Sequence, residues 1–175
     1  MASLNKARHH EVWSTRPEAV RIAMYEIDER DRVRLLSELP QPTSGDPKPR
    51  LIVDERSIDL TYQARRPAAA RGGRSSSKQG DEDDELLATV RFEGVHLHVF
   101  GCPNDEGLHG HPLFARGLES YGAFEVQHSS LIRHLERRNR VHDAHDAKHY
   151  QRLRHVVITF HDSTFECLCE RFEIA

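Results

Sequence analysis

The chain has 175 residues, 37% hydrophobic and 30% charged, which is enough for one domain with tails and too short for two full domains. Its 25 basic and 28 acidic side chains give a net charge of −3. This balance argues against a nucleic-acid partner, because proteins that bind nucleic acid usually present a basic face to the phosphates.

The N-terminal residues predict neither a membrane anchor nor a secretory signal. No apolar run approaches the roughly 20 residues that span a bilayer, and residues 1–13 (MASLNKARHHEVW) contain no hydrophobic segment. The three cysteines are an odd number, which favours reduced thiols over a disulfide framework. We therefore expect a cytoplasmic protein without a membrane partner.

The first predicted elements are a pair of helices. Residues 15–18 (TRPE) form a capping box with a proline where its missing N–H costs nothing, and apolar residues follow at helical spacing as far as Ile27. Val20, Ile22 and Met24 would also fit a strand. Residues 28–39 predict a second helix, since Val33, Leu36 and Leu39 form one stripe and a proline follows. A proline-rich connection, residues 40–49, comes next.

Strand patterns begin after this connection. Residues 51–53 predict a short strand, and residues 57–63 alternate apolar and polar side chains as a half-buried strand does. Residues 64–85 then carry basic followed by acidic side chains among glycine, serine and alanine. Such a segment buries too little apolar surface to offset the entropy of ordering, so it predicts a disordered loop.

The second half of the chain predicts most of the sheet. Residues 86–92 and 95–100 are two strand patterns separated by Glu93 and Gly94, a pair typical of a tight turn. Residues 101–122 contain five glycines and two prolines, and so long a loop is often functional.

The last elements are a strand, a helix and a hairpin. Residues 123–128 predict a strand, and Ser129 and Ser130 cap a helix that reaches about Arg140. Residues 155–160 and 164–174 predict a β-hairpin. The fold class is therefore α+β, a mostly antiparallel sheet with an N-terminal helical pair and a helix inserted before the C-terminal hairpin. We expect an N-terminal segment, residues 1–49, and an α+β domain, residues 50–175, interrupted by the loop 64–85.

Histidines supply the first candidate site. Of 13 histidines, 11 lie between His96 and His161, and they include two pairs spaced by one residue: His96 with His98, and His109 with His111. Alternate residues of a strand share a face, so each pair can chelate one metal ion, and zinc suits such ligands. The alternative is that His96 and His98 simply cover the solvent face of a strand.

A second set of candidates could transfer protons. His161 or Glu125 would serve as acid or base, with Asp162 orienting the imidazole of His161, although an aspartate followed by serine is also an ordinary turn pair. A serine triad could be drawn from Ser129, His161 and Asp162. No nucleophile-elbow motif supports that triad, and the serine is explained equally well as a helix cap.

Two further groups have plain structural explanations. Cys167 and Cys169 share one strand face, opposite Glu166, Leu168 and Glu170, and we expect Cys167 to be a small core residue rather than a nucleophile. His142, His145 and His149 have the spacing of one helix face, which favours an exposed polar helix over a second metal pair.

Three segments carry a resemblance: residues 110–113 (GHPL), 121–126 (YGAFEV) and 159–167 (TFHDSTFEC). Together they resemble a pattern found in small bacterial proteins of uncharacterised function, over roughly residues 86–172. No activity follows from the resemblance. It implies that the second half of the chain is the definable domain and that residues 1–50 are an addition.

Two functions remain open at this stage. The first is a binding module that docks a protein or a small ligand through its sheet face or the 101–122 loop. The second is a metal-dependent enzyme with His96, His98, His109 and His111 as ligands. A histidine-driven response to pH ranks third.

Overall fold

Nine β-strands form two antiparallel sheets in the part of the chain that the structure describes. The structure is a computed structural model, and it describes residues 25–66 and 85–175. The strands are β1 (Arg32–Leu35), β2 (Arg50–Val53), β3 (Ser57–Arg65), β4 (Glu85–Glu93), β5 (Leu97–Gly101), β6 (Ala123–Gln127), β7 (Arg154–Thr159), β8 (Thr164–Cys169) and β9 (Arg171–Ile174).

The two sheets have different strand orders. The five-stranded sheet runs β1-β6-β7-β8-β5, and the four-stranded sheet runs β2-β3-β4-β9. Every pairing is antiparallel. The predicted α+β class with a mostly antiparallel sheet is therefore confirmed.

The main core lies between the two sheets. In β3 the apolar Ile58, Leu60 and Tyr62 are buried, whereas the polar residues between them are half-buried, so the predicted alternation is confirmed. These side chains form one cluster with apolar residues of β4, β7 and β8. Tyr62 packs edge-on against Phe160, with ring centroids 5.3 Å apart. The sequence alternation thus builds a sandwich whose inner layer is apolar.

Helices and the long loop cover the outer face of the five-stranded sheet. Two α-helices, α1 (Ser130–Asn139) and α2 (Ala147–Gln151), precede β7, and two short 3₁₀-helices (Leu108–Gly110 and Pro112–Arg116) lie in the loop after β5. Leu131 of α1 packs with Leu168 of β8, while Leu113 of the loop packs with Val157 of β7. The central strands β7 and β8 are consequently buried on both faces.

The predicted helix over residues 28–39 is wrong, because β1 occupies the middle of that segment and pairs with β6. The three residues of its apolar stripe face two different cores. Val33 packs against the loop cluster on the outer face, and Leu36 and Leu39 lie in the core between the sheets. Val33 and Leu36 are three residues apart and therefore lie on opposite faces of an extended chain, whereas Leu39 lies beyond the strand.

The predicted tight turn at Glu93 and Gly94 joins two sheets instead of forming a hairpin. β4 pairs with β3 and β9, whereas β5 pairs with β8 in the other sheet. Gly94 has φ +62°, and a Cβ atom there would lie 2.5 Å from the side chain of Glu170. Glycine is therefore required for both the backbone conformation and the space.

Helix α1 and the β7–β8 hairpin are confirmed, but the predicted second hairpin strand, residues 164–174, is divided: β8 ends at Cys169, and β9 pairs with β4 in the other sheet. The first predicted helix lies mainly in residues 1–24, and the predicted disordered loop mainly in residues 67–84; both stretches are outside the described residues. Within the described ranges, no helix combines the length and the apolar character needed to cross a membrane.

Candidate functional site

The outer face of the five-stranded sheet carries buried polar residues at its centre. The side chains of His155 and Val157 on β7 and of Glu166 and Leu168 on β8 point to this face, because their strand neighbours point into the core between the sheets. His155 is fully buried and Glu166 is 4% exposed. An ionisable pair this deep needs partners for its polar atoms.

A chain of hydrogen bonds supplies these partners. Ser129 Oγ lies 2.7 Å from His155 Nδ1, and His155 Nε2 lies 2.7 Å from Glu166 Oε1. The hydroxyl of Tyr25 donates to the same Oε1 at 2.5 Å. An ionised carboxylate only accepts, so His155 Nε2 carries a proton, and in the neutral imidazole Nδ1 accepts from Ser129.

This network keeps Glu166 ionised. Burial alone raises the pKa of a carboxyl group, but the hydrogen bonds from His155 and Tyr25 and the electrostatic effect of the His155 and His111 rings outweigh burial and hold the pKa of Glu166 below its ordinary value. The pKa of Tyr25 is raised, first by burial and then by the negative charge of Glu166. The site therefore presents a carboxylate and a neutral phenol near neutral pH.

His111 approaches the free side of that carboxylate. Its Nδ1 accepts a hydrogen bond from the backbone N–H of Leu113 at 3.2 Å, which caps the second 3₁₀-helix. Its Nε2 lies 3.9 Å from Glu166 Oε2. Burial lowers the pKa of His111, and this effect outweighs the opposing pull of Glu166. The neutral ring therefore carries its proton on Nε2, facing Oε2.

A cavity of about 1000 Å³, here called the loop cavity, opens between the 101–122 loop and this carboxylate. Apolar side chains from three parts of the chain line it together with Glu166 and His111. They include Ile27, Val99, Pro103, Pro112 and Phe114. A buried charge beside apolar walls is the arrangement of a typical ligand pocket.

A second cavity of about 780 Å³ lies at the other end of the hydrogen-bond chain. Ser129 and His155 line it, together with Arg133 and Glu136 of α1 and Glu125 of β6. The buried chain from Ser129 to Glu166 therefore separates two cavities.

The structure does not bring the four predicted metal ligands together. His109 and His111 line the loop cavity, and His109 Nδ1 lies 3.1 Å from the carbonyl oxygen of Glu106. His98 is exposed on β5. His96 instead meets His149 of α2, with 2.9 Å between their Nε2 atoms.

The predicted proton-transfer residues lie in other surroundings. His161 is half exposed and contacts Asp105 at 3.1 Å and Tyr121 at 3.0 Å. Asp162 is 92% exposed, and its carboxylate is 4.0 Å from His161. Glu125 accepts a hydrogen bond from Arg154 at 2.7 Å. None of these contacts joins His161 to Glu125.

Ser129 does belong to a Ser-His-acid sequence of hydrogen bonds, but its partners are His155 and Glu166 rather than His161 and Asp162. Ser129 also caps α1 by accepting from the N–H of Ile132 at 3.2 Å. A polar residue inside a strand buried on both faces is the signal that identifies Glu166 and His155. Nothing near Tyr25 in the sequence indicates that its hydroxyl reaches Glu166.

The cysteine expectation is confirmed: Cys167 and Cys169 are fully buried in the core between the sheets. A hydrogen bond to Cys169 and burial raise the pKa of Cys167, so its thiol stays protonated.

Comparison of the chain with protein-family models, curated proteins and solved structures gives no match. Functional inference therefore rests on the geometry of the site.

Proposed function

We propose that this domain binds a small ligand in the loop cavity and that Glu166 and His111 together recognise a hydroxyl group on it. The observation that carries the proposal is the pair of atoms facing each other across the cavity, Glu166 Oε2 and His111 Nε2, 3.9 Å apart. Both residues belong to buried networks that fix their orientation, because Tyr25 and His155 hold Oε1 and Leu113 holds Nδ1.

The separation of the two atoms selects the chemistry of the ligand. It is too long for a direct hydrogen bond, yet one oxygen atom can lie about 2.8 Å from both. Such an atom must donate a proton to the carboxylate and accept one from the imidazole. A hydroxyl group does both, whereas an ether or a carbonyl oxygen lacks the donor and an ammonium group lacks the acceptor.

The walls of the cavity suit the rest of such a ligand. Ile27, Val99 and Phe114 present hydrocarbon to the space beside the two polar atoms. The side chain of Phe114 is partly exposed on the 101–122 loop, so a ligand that covers it removes apolar surface from water. We infer a ligand with one buried hydroxyl and a compact apolar body.

Three small probes with one apolar body test the proposal. Saturation-transfer NMR with the full chain would compare benzyl alcohol, benzyl methyl ether and benzylamine. We expect the alcohol to bind about tenfold more tightly than either analogue, a difference of about 1.4 kcal/mol. Equal binding of the alcohol and the ether would contradict the proposal.

Two variants and a control locate the binding. His111→Asn keeps a side-chain oxygen that can cap the 3₁₀-helix but removes the imidazole N–H, and Glu166→Gln removes the carboxylate. Each substitution is expected to weaken the binding of benzyl alcohol by about tenfold. Glu106→Gln changes an exposed carboxylate on the same loop and should leave binding unchanged. Unchanged binding in folded His111→Asn protein would refute the role of this pair.

A further inference from the structure

Three potential metal ligands meet where the chain crosses between the two sheets. His96 precedes β5, His149 lies on α2, and Glu170 lies between β8 and β9. One donor atom from each side chain lies within 4.8 Å of the other two. We propose that His96, His149 and Glu170 form a binding site for a divalent transition metal such as zinc.

The backbone holds two of these residues in place. The N–H of His96 donates to the carbonyl of Leu168 at 2.8 Å, and the N–H of Glu170 donates to the carbonyl of Glu93 at 3.0 Å. His96 and Glu170 are therefore each fixed by a backbone hydrogen bond to a sheet, whereas His149 belongs to the short helix α2. A fixed backbone lowers the entropy lost when a metal orders the side chains.

The distances suit a small metal ion. The Nε2 atoms of His96 and His149 are 2.9 Å apart, and His96 Nε2 is 4.0 Å from Glu170 Oε1. Ligands about 2.0–2.1 Å from a tetrahedral zinc ion are roughly 3.3 Å from each other. Small rotations of the three side chains would bring the donor atoms to that spacing.

The charges also suit a metal with imidazole ligands. Imidazole binds such an ion through a ring nitrogen that carries no proton, and Glu170 adds a carboxylate beside the two rings. Arg56 donates to Glu170 Oε1 at 2.9 Å, and an ionised carboxylate has further lone pairs that can bind a metal. Two nitrogens and one oxygen favour zinc or a similar late divalent ion over magnesium or calcium.

This site is separate from the loop cavity. Glu170 directly follows β8 and is four residues beyond Glu166, which corresponds to about 13 Å at ~3.3 Å per residue of extended chain. Three protein ligands leave at least one position of a tetrahedral ion for water or another small molecule. The metal site can therefore be tested without knowing the ligand of the cavity.

Titration of the untagged full chain with zinc chloride, followed by calorimetry, tests the site. The chain has 13 histidines, and those outside the proposed site can bind zinc weakly. The test is therefore the zinc affinity of each variant compared with that of the unaltered protein. We expect one tight zinc ion per chain, and at least about tenfold weaker binding in both His149→Ala and Glu170→Gln. His98→Ala, two residues from His96 but exposed, and His145→Ala, on the segment leading into α2, are matched controls that should keep the tight site.

Cobalt(II) absorption gives a second readout on the same proteins. Visible ligand-field bands at one equivalent of cobalt, lost in His149→Ala, would support the site. NMR resonances of the His96 and His149 rings in the unaltered protein should shift with zinc before those of other histidines. Absence of a stoichiometric ion, or tight binding that survives both His149→Ala and Glu170→Gln, would overturn the proposal.

Discussion

The buried polar side chains of the outer face are stable because each has a partner. Among the described residues, no buried side-chain nitrogen or oxygen lacks a hydrogen bond. An unpaired buried group would cost about 1–3 kcal/mol. Ser129, His155 and Glu166 therefore act as one unit, in which the loss of one member leaves another member without its partner.

Protonation of His111 in the 101–122 loop and of His161 in the β7–β8 turn changes the stability of the folded state in opposite directions. Burial lowers the pKa of His111, so protonating it destabilises the folded state as the pH falls below the unfolded value. The pKa of His161 is raised, first by its hydrogen bond to Asp105 and then by that carboxylate's charge; Asp162 and Glu106 add to it. Protonated His161 therefore stabilises the folded state.

We predict that Asp105→Asn removes the stabilisation that protonated His161 gives to the folded state. In the unaltered protein this contribution is fully present below the unfolded pKa of about 6.5 and is lost as the pH rises through the raised folded pKa. The NMR titration of His161 should therefore move to lower pH in the variant. Urea unfolding across the same pH range should show the difference in stability disappearing as the pH rises.

Asp162→Asn is the control for this prediction, because its carboxylate is 92% exposed and 4.0 Å from His161. It should move the titration less than Asp105→Asn does. Tyr121 donates to Asp105 and also contacts His161, so its ring resonances should follow the same titration. An unchanged pKa of His161 in Asp105→Asn would show that the pairing does not exist in solution.

At the scale of elements, the N-terminus of α1 joins the helix to β7, β8 and the segment before β1. Ser129 caps the helix and bonds to His155, while Asp31 accepts from both the N–H and the hydroxyl of Ser130. Asp31 is itself buried. The helix is therefore fixed through its first turn, by residues distant in sequence as well as by its own cap.

Ser129→Ala should consequently destabilise the protein by about 2–4 kcal/mol. Loss of a helix cap costs about 1 kcal/mol, and an orphaned Nδ1 on buried His155 costs about 1–3 kcal/mol more. Asp146→Ala removes the cap of the exposed helix α2 and should cost only about 1 kcal/mol. Urea unfolding measures both, and equal losses would show that the bond to His155 contributes nothing.

Local patterns were sufficient to predict the elements that carry their own strand alternation, helix cap or hairpin turn. The alternation of β3, the double serine before α1 and the strand pair β7–β8 each lie within a short window of sequence. The strand β1 is not predictable in this way, because its pairing with β6 decides its conformation and the apolar stripe of Val33, Leu36 and Leu39 extends beyond it into a second core. The same limit applies to the turn at Gly94, since the pairing partners of β4 and β5 are distant in sequence.

The candidate sites were likewise predictable from the sequence only in part. The sequence singled out His111 and His96, but their partners come from elsewhere in the fold: Glu166 from β8 and His149 from α2. No spacing in the sequence relates these pairs, because the sheet topology and the long loop bring them together. Spacing rules predict ligands only where both lie on one element.

At the scale of the molecule, two of the chain's crossings between the sheets are short, the one from β4 to β5 and the one from β8 to β9. These two crossings lie side by side, since Glu170 contacts Gly94 and bonds to the carbonyl of Glu93. Arg56, from the turn between β2 and β3, reaches Glu170 at the same place. The crossings therefore close one end of the sandwich over the apolar core that contains Cys167 and Cys169.

This closure predicts how the three thiols react. Cys102 is exposed, whereas Cys167 and Cys169 are buried between the sheets and Cys167 has a raised pKa. A disulfide reagent should therefore titrate one thiol quickly in the native protein and all three in denaturant, with the slow thiols reacting at the rate of global opening. Cys102→Ala should remove the fast reaction alone. Rapid labelling of a second thiol in native protein would show that the sheets separate readily.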